Sequence, residues 1–178
     1  MSQPTRAEIM RAFVPASPFA QELGIELVDL RPDHAELRLP WAPRLATIGD
    51  VVHGGAIAAL LDTAGMAAAW SDDTVPEKLA GATISLTVNY AAAAVASDLT
   101  AHASVVRRGR SLCFCEVRVT DAGRNVVAHG SMVHRFGLVR AEGLEPPSRC
   151  RHRHLKPARL PVPPRPLAGT DMLPRSRR

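Results

Sequence analysis

The chain has 178 residues, of which 46% are hydrophobic and 4% aromatic, a length suited to one domain with a full core plus appendages. Its formal charge of +5 is unevenly placed: residues 1–140 hold thirteen Lys/Arg and fourteen Asp/Glu, residues 141–178 nine and three. The basic excess therefore gives no reason to expect nucleic-acid binding by the folded part. Three cysteines without a CxxC pair exclude a disulfide framework, and the start Met1-Ser2-Gln3-Pro4-Thr5-Arg6 lacks the apolar run of a leader, so a reducing cytoplasm is expected.

Residues 1–14 read as an N-terminal segment with a short helix over 5–13, which Pro15 and Pro18 then interrupt. The folded domain is expected over 15–140. Leu23 to Leu30 and His34 to Leu39 read as strands joined by a turn at Arg31-Pro32-Asp33, and Pro40 to Asp50 as a loop. From Gly54 to Trp70 the only polar side chains are Asp62 and Thr63, in a stretch rich in Ala, Leu and Met that two glycines open. A helix apolar on every side is a buried helix, so Asp62 is expected deep in protein. No Lys or Arg between Arg44 and Lys78 can pair with it locally. A carboxylate buried without a cation is costly and tends to mark a chemical site.

Strands are then expected over Ala82–Tyr90, Asp98–Arg107, Leu112–Thr120 and Asn125–Phe136, with a hairpin turn at Asp121–Arg124. In the third of these, Cys113, Cys115, Val117 and Val119 face one way as small core residues. Residues 141–178 hold eight of the fifteen prolines and little apolar period, which predicts a disordered tail. The element order gives an α+β architecture in which a curved antiparallel sheet wraps one long central helix. Such a sheet leaves edges bare, so a homo-oligomer is expected. The apolar stretch is too short for a membrane span, and no metal-ligand cluster or cofactor motif is present in the pattern.

The segment His53-Gly54-Gly55, followed six residues later by Asp62, resembles the H-G-G-x6-D signature of the hotdog-fold thioesterases. It is most similar to the phenylacetic-acid-degradation type and the thioesterase superfamily member 2 group. Gly81-Ala82-Thr83 through Asn89-Tyr90, Asp98-Leu99-Thr100-Ala101, Val105 to Arg110 and Val127-Ala128-His129-Gly130 extend the match over about residues 15–137. The resemblance implies hydrolysis of acyl-CoA to free acid and CoA, in a site shared between two protomers, with no cofactor and no metal.

Geometry agrees with the sharing. Eight residues of helix separate Gly54 from Asp62, about 12 Å at 1.5 Å per residue. A carbonyl polariser and the group attacking that carbonyl must both come within roughly 3 Å of it. Two antiparallel copies of the helix would bring Gly54 of one chain to Asp62 of the other. The Gly54 amide, with Gly55 next, is then expected to polarise the thioester, using the free N–H groups of a helix start. His53 would orient the loop or the thioester, Asp62 would act as nucleophile or general base, and Thr83 would orient water. Tyr90 is expected at the substrate, and Arg107, Arg108 and Arg110 at the CoA phosphates.

Thr47 stands where the family usually has an Asn, and Ala91-Ala92-Ala93-Ala94 where relatives carry a larger residue and a proline. A hydroxyl cannot reproduce the donor and acceptor pair of an amide. The rival reading is therefore a non-catalytic hotdog module that binds acyl-CoA and regulates a partner.

Overall fold

A computed structural model describes residues 3–137, and the expected tail at 141–178 lies outside them. Helix α1, Arg6–Ala16, starts with a capping box: the Thr5 hydroxyl accepts from the Glu8 N–H at 3.2 Å, and the Glu8 carboxylate accepts from the Thr5 N–H at 2.8 Å. It runs three residues past the expected end, because Pro15 falls in the last turn. Pro18 does end α1, holding Ser17 before it in extended backbone, but a second helix starts there. The proline occupies the first position of α2, Pro18–Leu23, where its fixed φ and missing N–H suit a helix start, and Gly24 closes α2 at φ 79°. The first strand, β1, is consequently Glu26–Arg31 rather than beginning at Leu23.

β2 is His34–Leu39, and the expected loop that follows carries a 3-10 turn at Pro43–Leu45 and a small ribbon of β3, Ala46–Ile48, with β4, Val51–Val52. Helix α3 spans Gly54–Ala69. Four long strands follow: β5, Gly81–Tyr90; β6, Leu99–Arg108; β7, Leu112–Asp121; and β8, Val126–Phe136. With β1 and β2 they form one antiparallel sheet in the order β1-β2-β6-β7-β8-β5, packed around α3. The expected α+β hotdog architecture is thus the observed one. Cys113, Cys115, Val117 and Val119 are all buried beneath the helix, as their alternation requires. Gly65 lets α3 sit close on the sheet, since a Cβ there would stand 2.8 Å from the Met132 sulfur.

The helix is not buried on every side. Ala56, Ile57, Leu60, Leu61, Ala64 and Ala67–Ala69 are buried, while Gly54, Ala58, Asp62 and Met66, spaced four apart, are only half-buried. Asp62 is therefore on an open stripe rather than deep in the protein, because i, i+4 spacing puts it in line with that face. Edge strand β5 flanks the stripe and leaves Ile84, Leu86 and Tyr90 exposed. Among the described residues, no helix is long and apolar enough to cross a membrane, and no group of three His, Cys, Asp or Glu could hold a metal.

Candidate active site

The site is built from the two ends of a helical row. At its start, His53 is the N-cap of α3 in extended backbone, and its Nδ1 accepts from the Gly55 N–H at 2.8 Å. An accepting Nδ1 is unprotonated, so the neutral ring carries its proton on Nε2, which can donate to a substrate atom. The His53 carbonyl receives the N–H groups of Ala56 and Ile57 at 2.9 and 3.2 Å. Gly54 is left as the one first-turn donor without an acceptor among the described residues. The Gly55 amide, expected as second to Gly54, is given to His53 in this geometry.

Gly54 is held from its other side by Tyr90, whose hydroxyl donates to the Gly54 carbonyl at 3.0 Å. A Cβ on Gly54 would touch the Tyr90 ring at 3.4 Å, so the absence of a side chain keeps the backbone accessible. Thr47, Gly54, Ile57, Tyr90 and the run Ala91–Ala94 line one cavity of about 450 Å³. Three of the expected site residues, Thr47, Gly54 and Tyr90, thus meet at the helix start.

Two turns on, Asp62 Oδ1 accepts from the Thr83 hydroxyl at 2.8 Å, joining the helix to β5. The Thr83 oxygen also lies 3.7 Å from the Met132 sulfur. Asp62 makes no ion pair among the described residues, and its Oδ2 has no hydrogen-bond donor there. An unpaired carboxylate with one oxygen fixed and the other open can attack or deprotonate a group that approaches along the stripe. The pair Asp62–Thr83 and the cavity at Gly54 occupy different parts of a single chain.

The three expected phosphate arginines separate. Arg108 is used inside the fold: its guanidinium pairs with Asp33 and Asp72, each at 2.7 Å, and donates to the Ala69 and Ala68 carbonyls at 2.6 and 3.3 Å. It is thereby a cation at the C-terminal end of α3, matched to the helix dipole. Arg107 is exposed, and Arg110 lines a cavity of about 510 Å³ together with Lys78, Trp70 and Phe136. A contact not foreseen joins Trp70 to His134: the indole N–H donates to His134 Nε2 at 2.8 Å, 64 residues away. Burial, then the nearby Arg6 cation, push the His134 imidazolium down to about 4.

Residues 49–128 match the family model of the thioesterase superfamily. A Halobacterium salinarum protein named "Putative esterase" is 35% identical over 116 residues, covering 64% of this chain and 76% of that protein. The solved structure of a thioesterase family protein from Silicibacter pomeroyi aligns at TM-score 0.67 and 25% identity, over 73% of this chain and 96% of that one. Zebra fish thioesterase superfamily member 2, at 23% identity and TM-score 0.63 over 76% of this chain and 100% of that one, shares the fold. Family model, relatives and the helix wrapped by its sheet agree: the chain belongs to the hotdog-fold thioesterase superfamily, a family of hydrolases.

Proposed function

We propose that this protein is a cytoplasmic acyl-CoA thioesterase that works as a homodimer or a dimer of dimers. The observation that carries the proposal is the Asp62–Thr83 pair, lying on the open stripe of α3 about 12 Å from the uncapped Gly54 N–H. That distance is too great for one chain to polarise and attack a single carbonyl. Pairing two copies of α3 antiparallel covers both stripes and sets Gly54 of one chain beside Asp62 of the other. The bare edge of β5 adds surface that a second copy can pair with.

In that arrangement the Gly54 N–H polarises the thioester carbonyl, helped by the positive end of the helix dipole. His53 Nε2–H orients the thioester. Asp62 Oδ2 either attacks the carbonyl carbon, expelling CoA thiolate and leaving an anhydride that water opens, or takes a proton from a water that attacks directly. Thr83 holds Asp62 by Oδ1 and positions that water. Both routes convert acyl-CoA and water to free acid and CoA. Thr47 and Tyr90 line the thioester end of the site, while Arg107 and Arg110 are available to the CoA phosphates.

Thiol release from a panel of acyl-CoA thioesters, with Asp62→Asn beside wild type, tests this reading. Turnover by wild type that is lost in the variant is the expected result. Tight binding of acyl-CoA with no turnover of any member would replace it by the regulatory binding module.

A further inference from the structure

We infer that Tyr90 is a positioning residue for the reaction, fixing the imidazole of His53 through one peptide group. The inference rests on the thioesterase reading and adds a residue that acts through another. The Tyr90 hydroxyl donates to the Gly54 carbonyl at 3.0 Å, and the Gly55 N–H donates to His53 Nδ1 at 2.8 Å. That carbonyl and that N–H belong to the same planar peptide unit, where they point in opposite directions. The carbonyl has a second lone pair for the tyrosine, beyond the one its own helix uses. The two bonds therefore run in series, from the Tyr90 hydroxyl through the peptide to Nδ1, leaving Nε2–H free to donate. Hydrogen bonds in such a chain polarise one another, so donation to the carbonyl strengthens the N–H that holds the ring.

The local backbone is built to receive this grip. Consecutive glycines make the start of α3 conformationally loose, so a peptide between them needs holding. Each glycine also leaves the space that one of the gripping side chains fills. A Cβ on Gly55 would stand 2.8 Å from His53 Nδ1, and one on Gly54 would stand 3.4 Å from the Tyr90 ring. The two glycines thus admit the two side chains that hold their shared peptide at both ends.

The register of β5 serves the same end. Thr83 and Tyr90 are seven residues apart on that strand, a spacing that regular alternation would put on opposite faces. The pairing with β8 slips by one residue between Thr83 and Ser85, so that Thr83 lies opposite His134 and Tyr90 opposite Ala128, both buried. This bulge turns both hydroxyls toward α3. There Thr83 grips Asp62 Oδ1 and Tyr90 grips the helix start. A single edge strand thereby sets both ends of the chemical row.

Tyr90→Phe keeps the ring and removes only the donor. In nitrogen-15 labelled protein without substrate, the Gly55–His53 bond is read as the scalar coupling between the Gly55 amide nitrogen and Nδ1. That coupling should weaken in Tyr90→Phe, and Gly55 amide exchange should quicken about fivefold while exchange in the middle of α3 stays unchanged. Tyr90 is the chain's one tyrosine, so 3-fluorotyrosine supplied during growth replaces it alone. Below the ionisation of its more acidic phenol, that label should strengthen the coupling. With acyl-CoA, Tyr90→Phe should lower kcat about fivefold and move KM by less than about twofold. A coupling that moves with neither change overturns the inference. A loss that falls wholly on KM also overturns it, because a tyrosine that only binds substrate gives that result. Both leave the thioesterase reading intact. A coupling that follows Tyr90 in a protein that hydrolyses no acyl-CoA does the reverse: the grip stands and the thioesterase reading falls.

Discussion

The two ends of α3 are finished in opposite ways. At the C-terminal end the last carbonyls receive Arg108, whose charge is matched by Asp33 and Asp72, and Trp70 is tied to His134. At the N-terminal end His53 satisfies Gly55 and leaves the Gly54 N–H open, beneath a tyrosine that holds only the carbonyl. One end is saturated with partners from the β1–β2 turn, β6 and β8, which secures the helix in its sheet. The other keeps a donor open, as the first N–H of a helix commonly is, and so free for an arriving acceptor. The contrast separates the residues that hold the fold from those that serve the chemistry, although both kinds are polar groups on one helix.

The largest effect should fall on the chemical row. Asp62→Asn is expected to lower kcat by about a thousandfold with the melting temperature little changed, measured by thiol release and calorimetry. Arg108→Met should do the opposite, leaving KM for CoA thioesters nearly untouched while removing about 3 kcal/mol of stability in urea unfolding, because Asp33 and Asp72 lose a half-buried partner. The saturated end should also carry a pH signature. His134 titrates near 4 in the fold and near 6.5 when unfolded, so the unfolded chain binds the extra proton between those values. Stability should fall as pH drops through that window, by up to about 3 kcal/mol, and the slope should flatten in His134→Gln.

Smaller effects sharpen the other end. Thr83→Val should lower kcat about 10- to 100-fold by releasing Asp62 Oδ1, with acyl-CoA binding retained in calorimetry. In Gly55→Ala the new Cβ would stand 2.8 Å from His53 Nδ1, so the histidine must move. That should cost a few-fold in kcat/KM and about 1 kcal/mol of stability, in keeping with loss of a helix cap.

What could be read beforehand follows the range of the interactions. The run Gly54–Trp70 announced α3, and the alternation Cys113-Cys115-Val117-Val119 announced which face of β7 is inward, because both patterns are local. The short α2 escaped notice although Pro18 and Gly24 bracket it, since six residues show no helical period. The open stripe at Gly54, Ala58, Asp62 and Met66 was also hidden, because alanines and glycines look alike on a covered face and a bare one. Arg108 looked like a phosphate ligand in a cluster of arginines. Only folding brings Asp33, from 75 residues earlier, and Asp72 to it. The family pattern put Asp62 and Thr83 in one site, but their direct hydrogen bond, joining helix and strand across 21 residues, came only with the fold.

The central claim is that two chains build each site, and complementation between inactive variants tests it most directly. Gly54→Pro removes the free N–H while suiting the first position of a helix, and His53 already has the extended backbone that precedes a proline. Gly54→Pro and Asp62→Asn should each be inactive alone. After unfolding, mixing and refolding, about a quarter of wild-type activity should return, since half the dimers are mixed and each mixed dimer holds one intact site of two. No recovery, with mixed dimers shown to form, would contradict a site shared between chains.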